Sequence, residues 1–177
     1  MNNKFKTIQV SNFFDKPLEI IDYSKTLEFY KSDKSKDDQK WPGVRTKSLH
    51  SFNPNLFSFI INKVLSYYFE EGKLEGAKIA ARVYFHKSNK KTSVGFNKTN
   101  SIHTDEKDIL AGLIYLNKGN DIKTGTTLYD KNNKETVIFS NCFNTMICYN
   151  AKENHGPTSL NCNRLTVPFF IESIIKQ

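Results

Sequence analysis

The sequence lacks several features that would place the chain in a membrane or outside the cell. No apolar run approaches the ~20 residues that a membrane-spanning helix needs, and residues 1–10 lack the apolar stretch of a secretory signal. Cys142, Cys148 and Cys162 are odd in number and lack the close-spaced pairs of a structural zinc site. These absences predict a cytoplasmic chain with unpaired thiols and no membrane partner.

Arginine is also scarce, since lysine supplies all but three of the 26 basic residues. The net charge of +8 therefore rests on lysine, which is abundant here together with asparagine, as is usual in proteins from AT-rich genomes. Segment 31–40 mixes both signs and is typical of a solvated loop. A denser patch formed by Lys87, Lys90, Lys91 and Lys98 is either a solvated face or a surface for a polyanion. Charge alone leaves a nucleic-acid partner open.

Two helices are predicted in the first third of the chain. Asp15 can cap a first helix with Pro17 in its first turn, and Asn53 with Pro54 is an N-cap followed by proline at the first helical position. Helical spacing then places apolar side chains on one face of each segment, and Gly72 is expected to end the second helix. These stripes consist of Ile20, Tyr23, Leu27 and Tyr30 in the first helix, and of Phe57, Ile60, Ile61, Val64 and Tyr68 in the second.

After residue 75 the pattern changes to short β-rich runs separated by polar turns. The predicted strands are residues 77–85, 92–96, 109–116, 126–130, 135–139, 144–150 and 164–174. Strands 109–116 and 165–171 are apolar on both faces, which predicts a central sheet with the two helices packed on its back. We expect one domain of residues 1–177, mainly β with N-terminal helices (α+β), in which residues 1–75 support a jelly-roll core at 76–177.

His103, Asp105 and His155 have the chemistry of a non-haem iron site. Residues i and i+2 of an extended chain project to the same side, so His103 and Asp105 could reach one ion together. His155 precedes Gly156 and Pro157, which indicate a fixed turn. Two imidazoles and one carboxylate favour iron(II) with three open positions, whereas zinc more often takes a closed tetrahedron. The alternative is a pair of surface histidines near acidic neighbours.

Arg164 and Thr166 lie two residues apart on the last predicted strand and therefore face the same way. A buried guanidinium needs a partner, and a carboxylate-bearing ligand supplies one through two parallel hydrogen bonds. The threonine hydroxyl and the phenol of Tyr115 are candidates for further bonds to that ligand. An intramolecular partner such as Glu172 is the alternative. This arrangement points to a dicarboxylate co-substrate.

Taken in order, these motifs resemble those of the iron(II)- and 2-oxoglutarate-dependent dioxygenases. The segments SIHTDE, LAGLIYLN, GTTLYD and NRLTVPFF, with WPGVR upstream, are most similar to small phage and bacterial members of the prolyl 4-hydroxylase-like branch. The resemblance implies a double-stranded β-helix, with His103, Asp105 and His155 as iron ligands and Arg164 on the distal carboxylate of 2-oxoglutarate, supported by Tyr115 and Thr166. Pro168 departs from a regular strand, so a bulge or sheet edge is expected there.

The resemblance further implies hydroxylation of a peptidyl, prolyl-like substrate with iron(II), 2-oxoglutarate and O2, yielding succinate and CO2, with ascorbate as a stimulant. For a phage-encoded chain the compartment would be the host cytoplasm. Trp41, Arg45, Lys98 and Asn100 could reach the barrel mouth where substrate enters, although a structural role is the simpler expectation for each.

Four other functions remain open. They are a nucleic-acid demethylase, an oxygenase of a small molecule, a metal-dependent hydrolase or cupin-type isomerase without need of Arg164, and an inactive jelly-roll module that binds nucleic acid. A steep salt dependence of DNA or RNA binding without succinate formation would indicate the last of these.

Overall fold

The computed structural model describes residues 5–31, 41–91, 93, 101–159 and 162–176. Two α-helices lie in these ranges, α1 (Pro17–Lys25) and α2 (Pro54–Ser66), with a short 3-10 helix at Leu49–Ser51. The strands are β1 (Ile8–Val10), β2 (Tyr30–Lys31), β3 (Val44–Arg45), β4 (Lys78–Val83), β5 (His86–Ser88), β6 (Leu110–Tyr115), β7 (Asn120–Tyr129), β8 (Glu135–Cys142), β9 (Thr145–Asn150), β10 (Asn154–Pro157) and β11 (Arg164–Ile175).

The strands form two antiparallel sheets that face each other. The major sheet has eight described strands in the order β1-β9-β6-β11-β5-β3-β2, and β4 pairs with β11 beside β5. The minor sheet has three described strands in the order β10-β7-β8. Consecutive strands such as β9 and β10 lie in different sheets, so the chain crosses between layers repeatedly. This is the double-stranded β-helix, or jelly roll, that the sequence predicted.

The apolar strands β6 and β11 pair with each other in the middle of the major sheet, as predicted. One face of this sheet packs against the helices, because Ile114 and Phe169 share a buried cluster with Ile60 and Val64 of α2. The other face points between the sheets, where Ala111, Tyr115 and Ile147 meet Leu128 and Phe139 of the minor sheet. Both faces of β6 and β11 are therefore covered, which explains why they do not alternate with polar residues.

Helix α2 begins where the sequence places it. The side chain of Asn53 accepts a hydrogen bond from the Leu56 N–H at 3.1 Å, and Pro54 occupies the first turn. The helix ends at Ser66 rather than at Gly72, because the Tyr68 N–H bonds to the carbonyl of Leu65, three residues back, and tightens the last turn.

Helix α1 is shorter than its apolar stripe. Lys16 rather than Asp15 occupies the N-cap position, without a side-chain hydrogen bond. The helix ends at Lys25, and Tyr30 is exposed on β2, where it pairs with Arg45 of β3. The pairing with β3 competes with helix for this segment, so the prediction that Tyr30 extends the helical stripe is wrong.

Pro168 lies in a central strand with no bulge at its position. The register of β11 with β6 is unbroken from Thr166 to Ile171, and Pro168 opposes Leu113. On the other side, the Pro168 carbonyl accepts a hydrogen bond from the Tyr84 N–H, in the gap between β4 and β5. Because the missing N–H faces this gap, the proline costs no ladder bond, and the expected bulge or edge is wrong. The register shift of β11 lies instead between Ile171 and Ser173.

The other predicted strands agree with the structure to different extents. Segments 109–116, 126–130, 135–139, 144–150 and 164–174 contain strands, whereas 77–85 ends in a break after β4. The predicted strand 92–96 lies outside the described residues except for Ser93, which is in a turn. Region 1–75 also contributes β1, β2 and β3 to the major sheet, and the division at residue 75 stays a prediction.

No helix in the described part of the chain is long and apolar enough to cross a membrane. Cys142, Cys148 and Cys162 are free thiols, as expected.

Candidate metal and co-substrate site

The site lies in a cavity of about 200 Å³ that opens between the two sheets. Alternate residues of β11 point into this cavity, so Arg164, Thr166, Pro168 and Phe170 line it in succession. The opposite wall carries His103, Asp105 and His155. The two groups that the sequence singled out, the candidate metal ligands and the candidate arginine clamp, therefore line one cavity.

The two histidines are brought together by backbone pairing. His103 and His155 form an isolated antiparallel bridge at the edge of the minor sheet, with N–H to carbonyl distances of 3.0 and 2.9 Å in the two directions. Directly opposed residues of a bridge project to the same face, and the ring centroids are 4.4 Å apart. Residues 52 positions apart in sequence thus share one site because β10 returns beside the His103 segment.

Asp105 completes the cluster. Its Oδ1 lies 3.8 Å from Nε2 of His103, and its Oδ2 lies 3.3 Å from Nε2 of His155. All three ligand atoms fall within 4.8 Å of one another. Asp105 and His155 are buried, whereas His103 is about half exposed. One ion could contact all three side chains from the cavity side.

Backbone carbonyls fix the orientation of both rings. Nδ1 of His103 lies 2.9 Å from the Ser101 carbonyl, and Nδ1 of His155 lies 2.9 Å from that of Glu153. A carbonyl can only accept, so Nδ1 carries the proton and Nε2 presents its lone pair to Asp105. Desolvation, followed by the proximity of His155, lowers the pKa of His103 and favours the neutral ring. This is the tautomer that a metal ion requires.

The carboxylate of Asp105 fits a cation better than it fits the protein alone. Burial raises the pKa of Asp105, whereas a proton on His155 or His103 would hold that pKa below its usual value. Its Oδ2 is buried without a well-aligned hydrogen-bond donor among the described residues. An ionised, buried carboxylate beside two nitrogen lone pairs is costly unless a positive charge lies between them. The three side chains therefore fit a divalent metal ion.

Arg164 has no carboxylate within ion-pair distance in the described ranges. Glu172, the intramolecular partner considered from sequence, instead lies 3.4 Å from Nε of Arg82. The guanidinium of Arg164 stands 5.8 Å from the ring of Tyr115 and faces the cavity beside Thr166. A carboxylate entering this end of the cavity would find a guanidinium and a hydroxyl ready to donate.

Tyr115 lies behind Thr126 and does not line the cavity itself. Its side chain is fully buried, and its hydroxyl donates to Oγ1 of Thr126 at 2.8 Å. Thr126 lines the cavity, whereas Tyr115 does not. Burial raises the pKa of Tyr115 to about 12, so the phenol remains a donor at neutral pH. Tyr115 is placed to orient Thr126 toward a bound molecule.

Trp41 and Arg45 form one side of the cavity mouth. The guanidinium carbon of Arg45 lies 4.4 Å from the Trp41 ring, and both residues line the cavity. Between them, Gly43 lets the backbone approach β5 closely, since its φ is +97° and a Cβ there would collide with the Lys87 carbonyl. Two other residues considered for the mouth, Lys98 and Asn100, lie outside the described residues.

One member of the predicted lysine patch, Lys87, contacts other parts of the protein. The ammonium of Lys87 lies 3.8 Å from the Phe29 ring centroid and donates to the Ser24 carbonyl at 3.5 Å. Lys90 and Lys91 are exposed, and Lys98 lies outside the described ranges.

Two cavity residues, Tyr149 and His86, were missed by the sequence reasoning. The ring of Tyr149 is buried 4.7 Å from that of His155, and His86 pairs with Thr166 across β5 and β11. Tyr149 shares strand β9 with Ile147, and both point inward. The alternation that places Tyr149 on the same face as Ile147 is the signal that could have revealed it.

Neither a family model nor a curated protein matches the sequence. Among solved structures, the fold is similar to that of a Pseudomonas putida prolyl-4-hydroxylase, with 12% identity, a TM-score of 0.63 and coverage of 94% of this chain and 92% of that chain. It is also similar to a Trichoplax adhaerens prolyl hydroxylase in complex with a hypoxia inducible factor peptide fragment, with 14% identity, a TM-score of 0.62 and coverage of 94% and 83%. A third is HygX from Streptomyces hygroscopicus with nickel and 2-oxoglutarate bound, with 10% identity, a TM-score of 0.58 and coverage of 94% and 82%. At these identities the likeness establishes the jelly-roll fold of these proteins for nearly the whole chain.

Proposed function

We propose that this protein is an iron(II)- and 2-oxoglutarate-dependent dioxygenase that hydroxylates a peptidyl, prolyl-like substrate and releases succinate and CO2. One observation carries the proposal. A His-Asp-His cluster, in which Asp105 and His155 are buried, shares one cavity with Arg164, which has no carboxylate partner among the described residues. A hydrolase or isomerase built on the same three ligands would have no use for that guanidinium. The fold is shared with two prolyl hydroxylases and with HygX, whose structure contains nickel and 2-oxoglutarate, and this likeness supports the assignment.

In this proposal His103, Asp105 and His155 hold the iron. The backbone hydrogen bonds of the two histidine rings would keep both Nε2 atoms directed at the ion, and a site with three protein ligands would leave room for co-substrate and O2. The iron, when bound with 2-oxoglutarate and O2, supplies the oxidising power, and ascorbate sustains it by keeping the metal reduced. The protein would contribute the ligand geometry and the cavity between the two sheets.

Arg164 and Thr166 bind the distal carboxylate of 2-oxoglutarate. The guanidinium offers two parallel N–H donors, which match the two oxygens of a carboxylate. Thr166 projects from the same face of β11, and Thr126, oriented by Tyr115, donates from the facing sheet. Binding one end of the dicarboxylate on β11 directs its other end along the cavity toward the His-Asp-His cluster.

Substrate enters past Trp41 and Arg45. Leu113, Pro168 and Phe170 give the cavity an apolar wall on this side of the cluster. A saturated five-membered ring such as that of a prolyl residue packs against aromatic and aliphatic surface without losing hydrogen bonds. The likeness to a prolyl hydroxylase in complex with a peptide supports a peptidyl substrate.

The cofactor pair can be tested without knowing the substrate. Anaerobic addition of iron(II) and 2-oxoglutarate should give the weak visible charge-transfer band of the chelate. His155→Ala should lose the band. His50→Ala is a matched control, because His50 packs on Phe57 away from the cavity and should keep it. An equal band in the parent protein and in His155→Ala would show that the ligands are assigned wrongly.

The substrate class needs a second experiment. Succinate release is measured with iron(II), 2-oxoglutarate, ascorbate and either short prolyl peptides or methylated oligonucleotides. Peptides should stimulate release and gain one oxygen atom in the mass spectrum. Stimulation by oligonucleotides alone, with loss of a methyl group, would instead identify a nucleic-acid demethylase.

A further inference from the structure

Three residues after Asp105, the chain carries a second buried carboxylate, Asp108, which is not one of the three candidate ligands. Asp108 is 3% exposed, and its two oxygens accept hydrogen bonds from Nη2 of Arg82 at 2.7 and 2.8 Å. The remaining arginines, Arg45 and Arg164, both line the cavity, but Arg82 does not. Because this ion pair lies three residues from a candidate metal ligand, it can influence the position of that ligand.

The turn that carries Asp105 is fixed at three points. The Asp105 N–H donates to the Ala151 carbonyl at 2.8 Å, and the Asp108 N–H donates back to the Asp105 carbonyl at 2.9 Å. Just beyond the turn, the Ile109 N–H joins the Ile171 carbonyl at 2.8 Å. The side chain of Asp108 adds a further link between the turn and another strand, through Arg82.

Arg82 connects this turn to the cavity wall. It lies on β4 opposite Phe170 of β11, and its guanidinium carbon stands 5.4 Å from the Phe170 ring. Its Nε also lies 3.4 Å from Oε1 of Glu172. One guanidinium therefore contacts the metal-binding turn and a wall residue of the same cavity.

We propose that Arg82 and Asp108 are positioning residues, which set the place of the Asp105 carboxylate and thereby the affinity and geometry of the metal site. The inference rests on the proposed function, since it takes His103, Asp105 and His155 as the ligands. If the charge on Arg82 is removed, Asp108 is buried without a counter-charge next to the Asp105 carboxylate, so the turn must rearrange. A shift of the turn moves Asp105 relative to the histidines, which are held independently by their own bridge.

Metal binding, rather than activity, tests the inference. Anaerobic titration of the full-length protein with Co2+ gives a dissociation constant, and the visible d–d bands report the coordination geometry. Asp108→Asn, which keeps the size of the side chain, and Arg82→Met, which keeps an unbranched stem without the charge, should weaken Co2+ binding by about 10- to 100-fold and alter the bands. Arg82→Lys keeps the charge and should recover most of the affinity.

Two controls separate positioning from loss of stability. Asp22→Asn removes an exposed carboxylate from the ion pair with Lys25, outside the cavity lining. It should change neither the Co2+ affinity nor the d–d bands. Leu65→Ala creates a cavity under helix α2 and should lower the melting temperature without altering the Co2+ bands.

Each outcome decides one of the two proposals. Parent-like Co2+ affinity and spectra in both Asp108→Asn and Arg82→Met would overturn the positioning role, as would an equal loss of affinity in Leu65→Ala. Absence of Co2+ binding by the parent protein would instead overturn the proposed function itself.

Discussion

The three arginines differ in what surrounds their charge. Arg82 lies between Asp108 and Glu172, and Arg45 is stacked on Trp41. Arg164 faces the cavity beside Thr166 and has no ion pair within the described ranges. A guanidinium held in a cavity without a counter-ion is a binding group for an anion, since burial strengthens a charge pair formed there.

Arg164→Ala should weaken 2-oxoglutarate binding by about 2–5 kcal/mol, the usual effect of truncating one partner of a desolvated charge pair. The affinity is measured by calorimetric titration of 2-oxoglutarate into Zn2+-loaded protein, which cannot turn over. Zn2+ affinity itself should stay the same, because Arg164 is no ligand. Arg164→Lys should lose less, since it keeps the charge but not the two parallel donors. Unchanged 2-oxoglutarate affinity in Arg164→Ala would contradict the clamp.

Trp41 is the sole tryptophan, so its fluorescence reports on the cavity mouth. Its Nε1–H is buried without an acceptor among the described residues. Adding a prolyl peptide to Zn2+- and 2-oxoglutarate-loaded protein should shift the emission, because a peptide at the cavity mouth displaces water from the exposed part of this half-buried ring. Trp41→Phe provides the blank. If peptides stimulate succinate release while the emission stays constant, Trp41 takes no part in substrate binding.

At the scale of secondary structure, the site depends on a four-residue strand. β10 holds His155 against the His103 segment on one side and against β7 on the other. Gly156 follows His155, and a Cβ there would lie 2.8 Å from the Ser101 carbonyl. That carbonyl orients His103 through its Nδ1. The absence of a side chain at 156 therefore lets the two histidine-bearing segments approach each other.

Gly156→Ala should weaken metal binding by roughly tenfold or more, since it displaces Ser101 and tilts His103. Co2+ titration and the d–d bands measure the effect. Gly72→Ala is the matched control, because φ at Gly72 is +78° and a Cβ there would meet nothing within 4 Å. It should destabilise the protein through backbone strain and leave the metal site unaltered. Equal Co2+ affinities in the two variants would show that the close approach at Gly156 does not matter.

At the scale of the whole molecule, two sheets enclose charged and titratable groups that would be solvated in the unfolded chain. His86 is an example, since its Nε2 lies 2.5 Å from the Pro42 carbonyl while Arg45 and Arg164 are close enough to act on it. Burial first, and then the Arg45 charge, lower the pKa of His86 to about 3. The folded protein therefore keeps this ring neutral where the unfolded chain binds a proton.

Stability should fall as the pH is lowered from about 6.5 to about 3, because protons bind the unfolded His86 more tightly. Between those two values the contribution is on the order of 1 kcal/mol per pH unit. Urea unfolding of the parent and of His86→Gln across this interval measures the difference. The free energy of unfolding of His86→Gln should depend less steeply on pH than that of the parent protein. The carboxylates that titrate in the same interval are present in both proteins and do not contribute to the difference. Parallel curves would mean that His86 is protonated in the folded state.

Local signals were sufficient for the parts of the fold that depend on neighbouring residues. Asn53 and Pro54 mark the start of α2, and the apolar runs of β6 and β11 mark the centre of the major sheet. The short strands β1, β2, β3, β5 and β10 were missed. Strands of two to four residues carry too little periodicity to be recognised, and their partners alone hold them in extended form.

The sequence by itself determined the chemistry of the candidate site, because ligand types, their order and the spacing of β11 are properties of the chain. Only the tertiary structure decided that His103 and His155 meet, that Glu172 pairs with Arg82 instead of Arg164, and that Tyr115 lies behind Thr126. Those facts depend on strand pairing between distant segments. Spacing along a strand fixes which side chains share a face, but sheet topology fixes what each face meets.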